Sequence, residues 1–201
     1  MTTIQNIMSF EDVVRNMEAH GMKIPPQREY IKIPHANMIL KNAMDYFLSL
    51  EGRKCIWLPE YDKVSDWLTD NQGKGLFMFG NCGRGKTILS RYAIPAILLK
   101  YKQLVVSTFD AQEMNADIDK VLTKHIVSLD DIGTEDIAVS YGNKRAAFAE
   151  IMDMAEKKGN LLIISTNLGD NELKERYGER IRDRIISTTR RILFTGKSLR
   201  Q

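Results

Sequence analysis

Eight consecutive residues constrain this chain more than any other stretch. Gly80-Asn81-Cys82-Gly83-Arg84-Gly85-Lys86-Thr87 fits the spacing Gly-x-x-x-x-Gly-Lys-Thr at every fixed position. The apolar run Leu76-Phe77-Met78-Phe79 before it reads as a strand, and the residues after it read as a helix. A strand, a glycine loop and a helix in that order form a phosphate cradle. Glycines let backbone amides turn inward around an anion where a side chain would collide. The helix opening at Lys86 adds its positive end to the same point. Lys86 is then the group for the β- and γ-phosphates, and the Thr87 hydroxyl for Mg²⁺. The candidate nucleotide-binding residues run without a gap: Gly80, Asn81, Cys82, Gly83, Arg84, Gly85, Lys86, Thr87 and Ile88. The implied cofactors are ATP and Mg²⁺. Cys82 reads as a spacer within the loop.

The rest of the chain supplies an α/β frame for this loop. After Gly75, short apolar runs alternate with helical stretches: 76–79, Leu104-Val105-Val106, Ile126-Val127-Ser128-Leu129, Leu161-Leu162-Ile163-Ile164 and Ile192-Leu193-Phe194. Near-continuous apolar strands separated by helices mark a parallel sheet covered on both faces. The helices are expected at 86–100, 111–123, 143–158 and 170–187. Pro95 should kink or break the first, because it removes the amide donor to the Arg91 carbonyl. Ahead of the loop, helices are expected at 9–20, 36–49 and 60–71, with a short extended piece over Tyr30–Ile33. Ser9 and Asp12 form a capping-box-like start, and Gly21 a stop. Phe10, Val13, Val14 and Met17 share one face of that first helix, so it should be buried, either on its own domain or against a partner.

Two polar strand ends bear on chemistry. Ile126–Leu129 runs into Asp130-Asp131. Beside a phosphate loop, the first carboxylate holds the magnesium shell and the second polarises the attacking water. A plain cap on the following turn is the structural alternative. Leu161–Ile164 runs into Ser165-Thr166-Asn167, where Asn167 either hydrogen-bonds that water or caps the helix starting near Asp170.

Composition excludes several classes. A chain of 201 residues with 43% hydrophobic content supports one α/β domain with an appended segment. It has no apolar stretch of membrane-spanning length and no signal-peptide pattern at Met1–Asn6. Cys55 and Cys82 form neither a disulfide scaffold nor a Cys-x-x-Cys pair, so a reduced cytoplasm is expected. The net charge of +3 is mild. Residues 174–200 nonetheless hold nine basic against three acidic side chains, which is either a nucleic-acid face or a solvated helix.

Phosphate loop, strand with Asp130-Asp131, strand with Asn167 and an arginine-rich helix occur in the order found in AAA+ ATPases. The chain most resembles the DnaC-type helicase loaders and their IstB-like relatives. The passages carrying this are Leu129–Glu135, Ser165–Leu168, Tyr177–Ile185 and Phe194–Arg200, within a resemblance over roughly residues 60–201. It implies a P-loop NTPase three-layer αβα sandwich with a parallel five-stranded sheet in the order 5-1-4-3-2, without a C-terminal helical lid. It divides the chain into a mostly helical segment at 1–59, a candidate for partner docking, and an AAA+ ATPase domain at 60–201. It also implies ATP hydrolysis in a self-associated assembly, with an arginine acting in trans: Arg184 by family position, Arg180 second. The partners implied are single-stranded DNA and a replicative DNA helicase, or a transposase if the chain is an IstB-like transposition helper. Asp131 stands where many AAA+ proteins have glutamate, so Glu135 is a further candidate for activating water. A small-molecule kinase is disfavoured by the long segment before the loop, and an ATP-holding switch remains the slow-turnover alternative.

Overall fold

Both faces of one parallel sheet are covered, and this arrangement explains the apolar runs of the sequence. The computed structural model describes residues 9–135, 138–140 and 143–199, with backbone alone at 138–140 and 143–145. The elements are α1 (Phe10–Ala19), α2 (Ala36–Ser49), α3 (Pro59–Thr69), β1 (Gly75–Gly80) and α4 (Lys86–Ile88). A π turn (Leu89–Ala93) joins α4 to α5 (Ile94–Lys102). Then come β2 (Ser107–Asp110), α6 (Ala111–Ala116), α7 (Ile118–Leu122), β3 (Ile126–Ile132), β4 (Ala138–Ser140) and β5 (Asn143–Arg145). The chain continues through α8 (Ala147–Lys158), β6 (Leu161–Thr166), α9 (Asp170–Tyr177), α10 (Glu179–Thr188) and β7 (Thr189–Phe194). The main sheet has the order β2-β3-β6-β1-β7, and every pairing in it is parallel. Counting only its own strands this is 2-3-4-1-5, the expected 5-1-4-3-2 read from the other edge.

Alternate residues of β1 serve opposite cores. Leu76 and Met78 join α2, α3 and α5 on one side, with Trp67, Tyr61 and Phe194. Phe77 and Phe79 join α6, α7, α8, α9 and α10 on the other, with Phe148 and Ile181. Each large side chain buried in this way contributes about 1.5–3 kcal/mol. The first core extends ahead of the phosphate loop. Ile31 and Ile33 are fully buried and extended, tied by Ile31 N–H to Asn71 Oδ1 at 2.8 Å and by Ile33 N–H to the Leu68 carbonyl at 3.1 Å.

Several local expectations are corrected. The strand expected at 104–106 forms at 107–110 instead. Leu104 and Val106 pack against the first core as the chain leaves α5, and the edge strand tolerates Ser107 and Thr108 because it is half exposed. The helix expected at 111–123 divides at Asp117, whose side chain caps α7 by accepting the Lys120 N–H. That expected at 143–158 begins at Ala147, because residues 143–145 pair antiparallel with 138–140. The one expected at 170–187 divides at Gly178, which has φ 83°. Ser9 does cap α1 as read, but Phe10 is 84% exposed, and among the described residues Val13 and Met17 are half-buried and none of α1 is fully buried.

The α-helix is interrupted ahead of Pro95, as expected, but by a π turn rather than by simple loss of one bond. The backbone widens through the π turn, where Ile94 N–H donates to the Leu89 carbonyl, and the proline falls in the first turn of α5. No helix among the described residues is long and apolar enough to cross a membrane.

Candidate active site

The phosphate loop leaves the carboxyl end of β1, at the centre of the sheet. Gly80, Gly83 and Gly85 have φ of 105°, 70° and 81°. A Cβ at Gly85 would lie 2.4 Å from the Tyr61 hydroxyl, and one at Gly80 2.5 Å from the Phe194 carbonyl. Glycine is therefore demanded twice, by backbone angle and by neighbours. Among the described residues, no acceptor takes the amides of Cys82, Gly83, Arg84 or Gly85. Tyr61 Oη donates to the Arg84 carbonyl at 3.1 Å, which turns that acceptor away from the cradle. The result is a concave set of donors suited to phosphate oxygens.

A cavity of about 320 Å³ lies over this loop, lined by Cys82 through Ile88 together with Glu51, Arg53, Asp131, Ser165 and Asn167. Its charged floor is a connected chain. Lys86 is buried, and its ammonium donates to the Gly80 and Asn81 carbonyls at 2.8 and 2.7 Å and to Asn167 Oδ1 at 3.0 Å. Asn167 Nδ2 donates in turn to Asp131 Oδ1 at 2.6 Å. Asn167 thus links the lysine to the second carboxylate. Gly169, not Asn167, is the N-cap of α9.

The two carboxylates occupy different layers. Asp131 reaches the cavity wall through a register shift between Leu129 and Ile132, with φ 57°. A non-glycine residue in that region is unusual, and it costs about 1–3 kcal/mol that the surrounding bonds must offset. Ser165 Oγ accepts the Asp131 N–H at 3.0 Å, and Thr134 Oγ1 donates to the Asp131 carbonyl at 3.0 Å. Asp130 is buried one layer behind, and its Oδ1 accepts hydroxyls from Ser90 at 2.8 Å and Ser165 at 2.5 Å. The π turn delivers Ser90 to this position, and Ser128 Oγ fastens it by donating to the Ser90 carbonyl at 2.7 Å. Thr87 faces the cavity. Asp130 itself does not line the cavity, so a hydrated divalent cation there would meet the Thr87 hydroxyl directly and Asp130 only through water.

Glu135 lies elsewhere. It is buried, accepts from Gly133 N–H at 2.7 Å and from the Tyr177 hydroxyl, and does not line the cavity. Burial, followed by the bond to Glu135, pushes the Tyr177 phenol well above its usual range. Glu135 therefore anchors α9, and of the two carboxylates it is Asp131 that lines the cavity.

The arginines of α10 are held within the chain. Arg184 is 13% exposed and pairs with Asp153 and Glu156 of α8, the latter at 2.7 Å. Arg180 is 74% exposed and touches only Asp153 among the described residues, at 3.4 Å. Both open on one concavity of about 350 Å³. Elsewhere in the basic stretch, Arg182 and Arg191 pair with Asp170, Lys174 pairs with Glu179, and Arg176 and Arg190 bond backbone carbonyls. Among the described residues, five of these basic side chains (Lys174, Arg180, Arg182, Arg184 and Arg191) have an acidic partner, whereas Arg176 and Arg190 bond carbonyls instead.

Sequence reading missed several side chains of the site. A second pocket of about 690 Å³ adjoins the first, lined by Leu48, Gly52, Arg53, Lys54, Ile56, Tyr61, Gly85 and Leu199. Arg53 borders both pockets, with Glu51 Oε2 at 2.6 Å. Nothing in the spacing of a lone arginine after a helix signals such a place.

No protein-family model and no curated protein matches the chain in sequence. Solved structures do match. A crystal structure of the DnaC helicase loader aligns with a TM-score of 0.59 at 20% identity, covering 78% of this chain and 98% of that one. The chain therefore shares the fold of that protein. A protein from Streptococcus pyogenes serotype M3, assigned as a primosome component, aligns with a TM-score of 0.50 at 19% identity over 70% of this chain and 78% of its own. Within this fold, the cavity over Gly80–Thr87 lies at the carboxyl ends of the central strands, where open parallel sheets bind ligands.

Proposed function

We infer that the chain is an ATPase of the helicase-loading kind, binding ATP with Mg²⁺ in the cavity over the phosphate loop. The observation that carries this is the Lys86–Asn167–Asp131 chain across that cavity. It joins a phosphate-binding cation to a carboxylate able to orient water, through an amide that would register what lies between them. Thr87 would hold Mg²⁺ directly, and Asp130 through the shell of water around it. The apolar pocket by Leu48, Ile56, Tyr61 and Leu199 has the character for a nucleobase, and Arg53 stands where base and phosphate regions meet.

Asp131→Asn keeps the shape and the Asn167 contact but loses the negative charge. Turnover should fall by roughly 100-fold or more while ATP affinity stays near wild type. Equal turnover in the variant would favour the binding switch. Arg53→Ala should weaken ATP binding by about tenfold, the worth of one exposed charge-assisted contact. An unchanged affinity would place the nucleotide away from Arg53.

Likeness to the DnaC loader supports the finer reading: a self-associating cytoplasmic protein whose partners are single-stranded DNA and a replicative helicase. The test is steady-state hydrolysis across protein concentration, alone, with single-stranded DNA and with duplex at matched salt. Turnover rising with concentration and with single strands supports the loader. Preference for duplex turns the reading to a transposition helper, and indifference to both removes the DNA role.

A further inference from the structure

The segment following β7 folds back over the phosphate loop. Asn81 N–H donates to the Phe194 carbonyl at 2.9 Å, Asn81 Nδ2 to the Gly196 carbonyl at 2.9 Å, and Leu199 N–H to the Gly83 carbonyl at 2.9 Å. A Cβ at Gly83 would lie only 2.0 Å from Ser198 Oγ, so loop and strap are in contact with no room between them. Arg84 and Glu60 clasp the two together. Arg84 is buried within the loop, and its Nη2 donates to both Glu60 oxygens at 3.0 and 3.1 Å while its Nη1 donates to the Lys197 carbonyl at 3.2 Å. Glu60, at the start of α3, also accepts the Thr195 N–H at 3.0 Å. Burial acts to raise the Glu60 carboxyl, but bonds from Thr195, its own amide and Arg84 outweigh it and hold the group below its usual range.

This clasp changes the meaning of Arg84. Its guanidinium is bonded to a carboxylate and a carbonyl, so it is a positioning residue of the loop rather than a free charge for phosphate. The strap does two things for the site. It draws the Gly83 carbonyl outward, so that this carbonyl does not oppose an anion while the loop amides stay available. It also sets Leu199 against Tyr61 and Gly85 as one wall of the apolar pocket.

We propose that the strap Thr195–Leu199, clasped by Glu60 and Arg84, is a working wall of the nucleotide site whose docking and nucleotide occupancy stabilise each other. This rests on the cavity being a nucleotide site. Linkage makes the coupling reciprocal: docking of the strap raises nucleotide affinity by the same factor by which bound nucleotide favours docking, and a variant that loosens the strap loses up to that factor.

The experiment uses the full chain with ADP as the probe. Leu199→Pro deletes the amide that reaches Gly83 at a half-exposed position, and Glu60→Gln removes the charge of the clasp while keeping an acceptor. ADP affinity should fall by about fivefold in the first and about tenfold in the second. Hydrogen exchange at Leu199 and Thr195 should slow when ADP is added to the wild type, an effect that a merely structural strap would not show. If Glu60→Gln does not fold, Leu199→Pro with the wild-type exchange data still decides. Wild-type binding with unchanged affinity in Leu199→Pro and no ADP effect on exchange overturns the proposal alone. Absence of ADP and ATP binding by the wild type overturns the nucleotide reading beneath it.

Discussion

Alanine at Lys86 will leave a folded protein that neither retains nor turns over ATP. The ammonium holds two loop carbonyls and Asn167, so it both shapes the empty loop and supplies the charge that meets the phosphates. Hydrogen bonds from a charged donor are each worth about 1.5–3 kcal/mol, and losing one or two on the ligand raises the dissociation constant by about 100-fold or more. Turnover should fall to background. Thermal unfolding without nucleotide should show whether the fold survives, because the lysine also bonds buried loop carbonyls and lies over the Phe194 ring. Titration with a fluorescent ATP analogue beside a melting curve checks both. A variant that folds and binds ATP as the wild type does would mean that the cavity is not a phosphate site.

Arg184→Ala should lower concentration-dependent turnover by about 10³-fold, the scale of an arginine finger. The isolated subunit holds this side chain against Asp153 and Glu156, so it must exchange those partners for a neighbour's γ-phosphate. Such partly exposed pairs contribute only about 0–1 kcal/mol each, which makes the exchange inexpensive. The same substitution leaves two carboxylates unpaired, so loss of activity alone would be ambiguous. Mixing removes the ambiguity. Arg184→Ala subunits keep an intact phosphate loop, and Lys86→Ala subunits keep an intact arginine, so the mixture should recover activity that neither has alone. No recovery, with both variants folded, would rule out Arg184 in trans and pass the role to the more exposed Arg180.

What could be read in advance follows from what is local. The phosphate loop and the carboxylate pair depend on runs of adjacent residues and are legible without coordinates, whereas the sheet order came only as what the resemblance implies. Asn167 could be placed between two roles, since a strand's polar end has only a few directions to face. Other features depend on distant pairings. The Ser90–Asp130 bond needs a π turn, which compensates for a proline five residues later and leaves no periodic signal. The location of β2 was lost because an apolar triplet can serve a helix exit as well as a strand. The basic stretch at 174–200 could be read two ways, as a nucleic-acid face or a solvated helix, because its carboxylate partners Asp153, Glu156 and Asp170 lie outside it in the sequence.

The position of β1 in the sheet has a further consequence, for how the molecule is made. Its two neighbours, β6 and β7, are the last strands of the sheet to be synthesised, whereas β2 and β3 are consecutive and pair with each other. A nascent chain therefore presents the glycine loop long before anything flanks it. Non-local parallel pairing is slow, and until it happens the loop has neither a framework nor the strap that presses on it. A nucleotide site of the kind proposed would therefore be completed only with the pairing of β7 and the closing of the segment behind it.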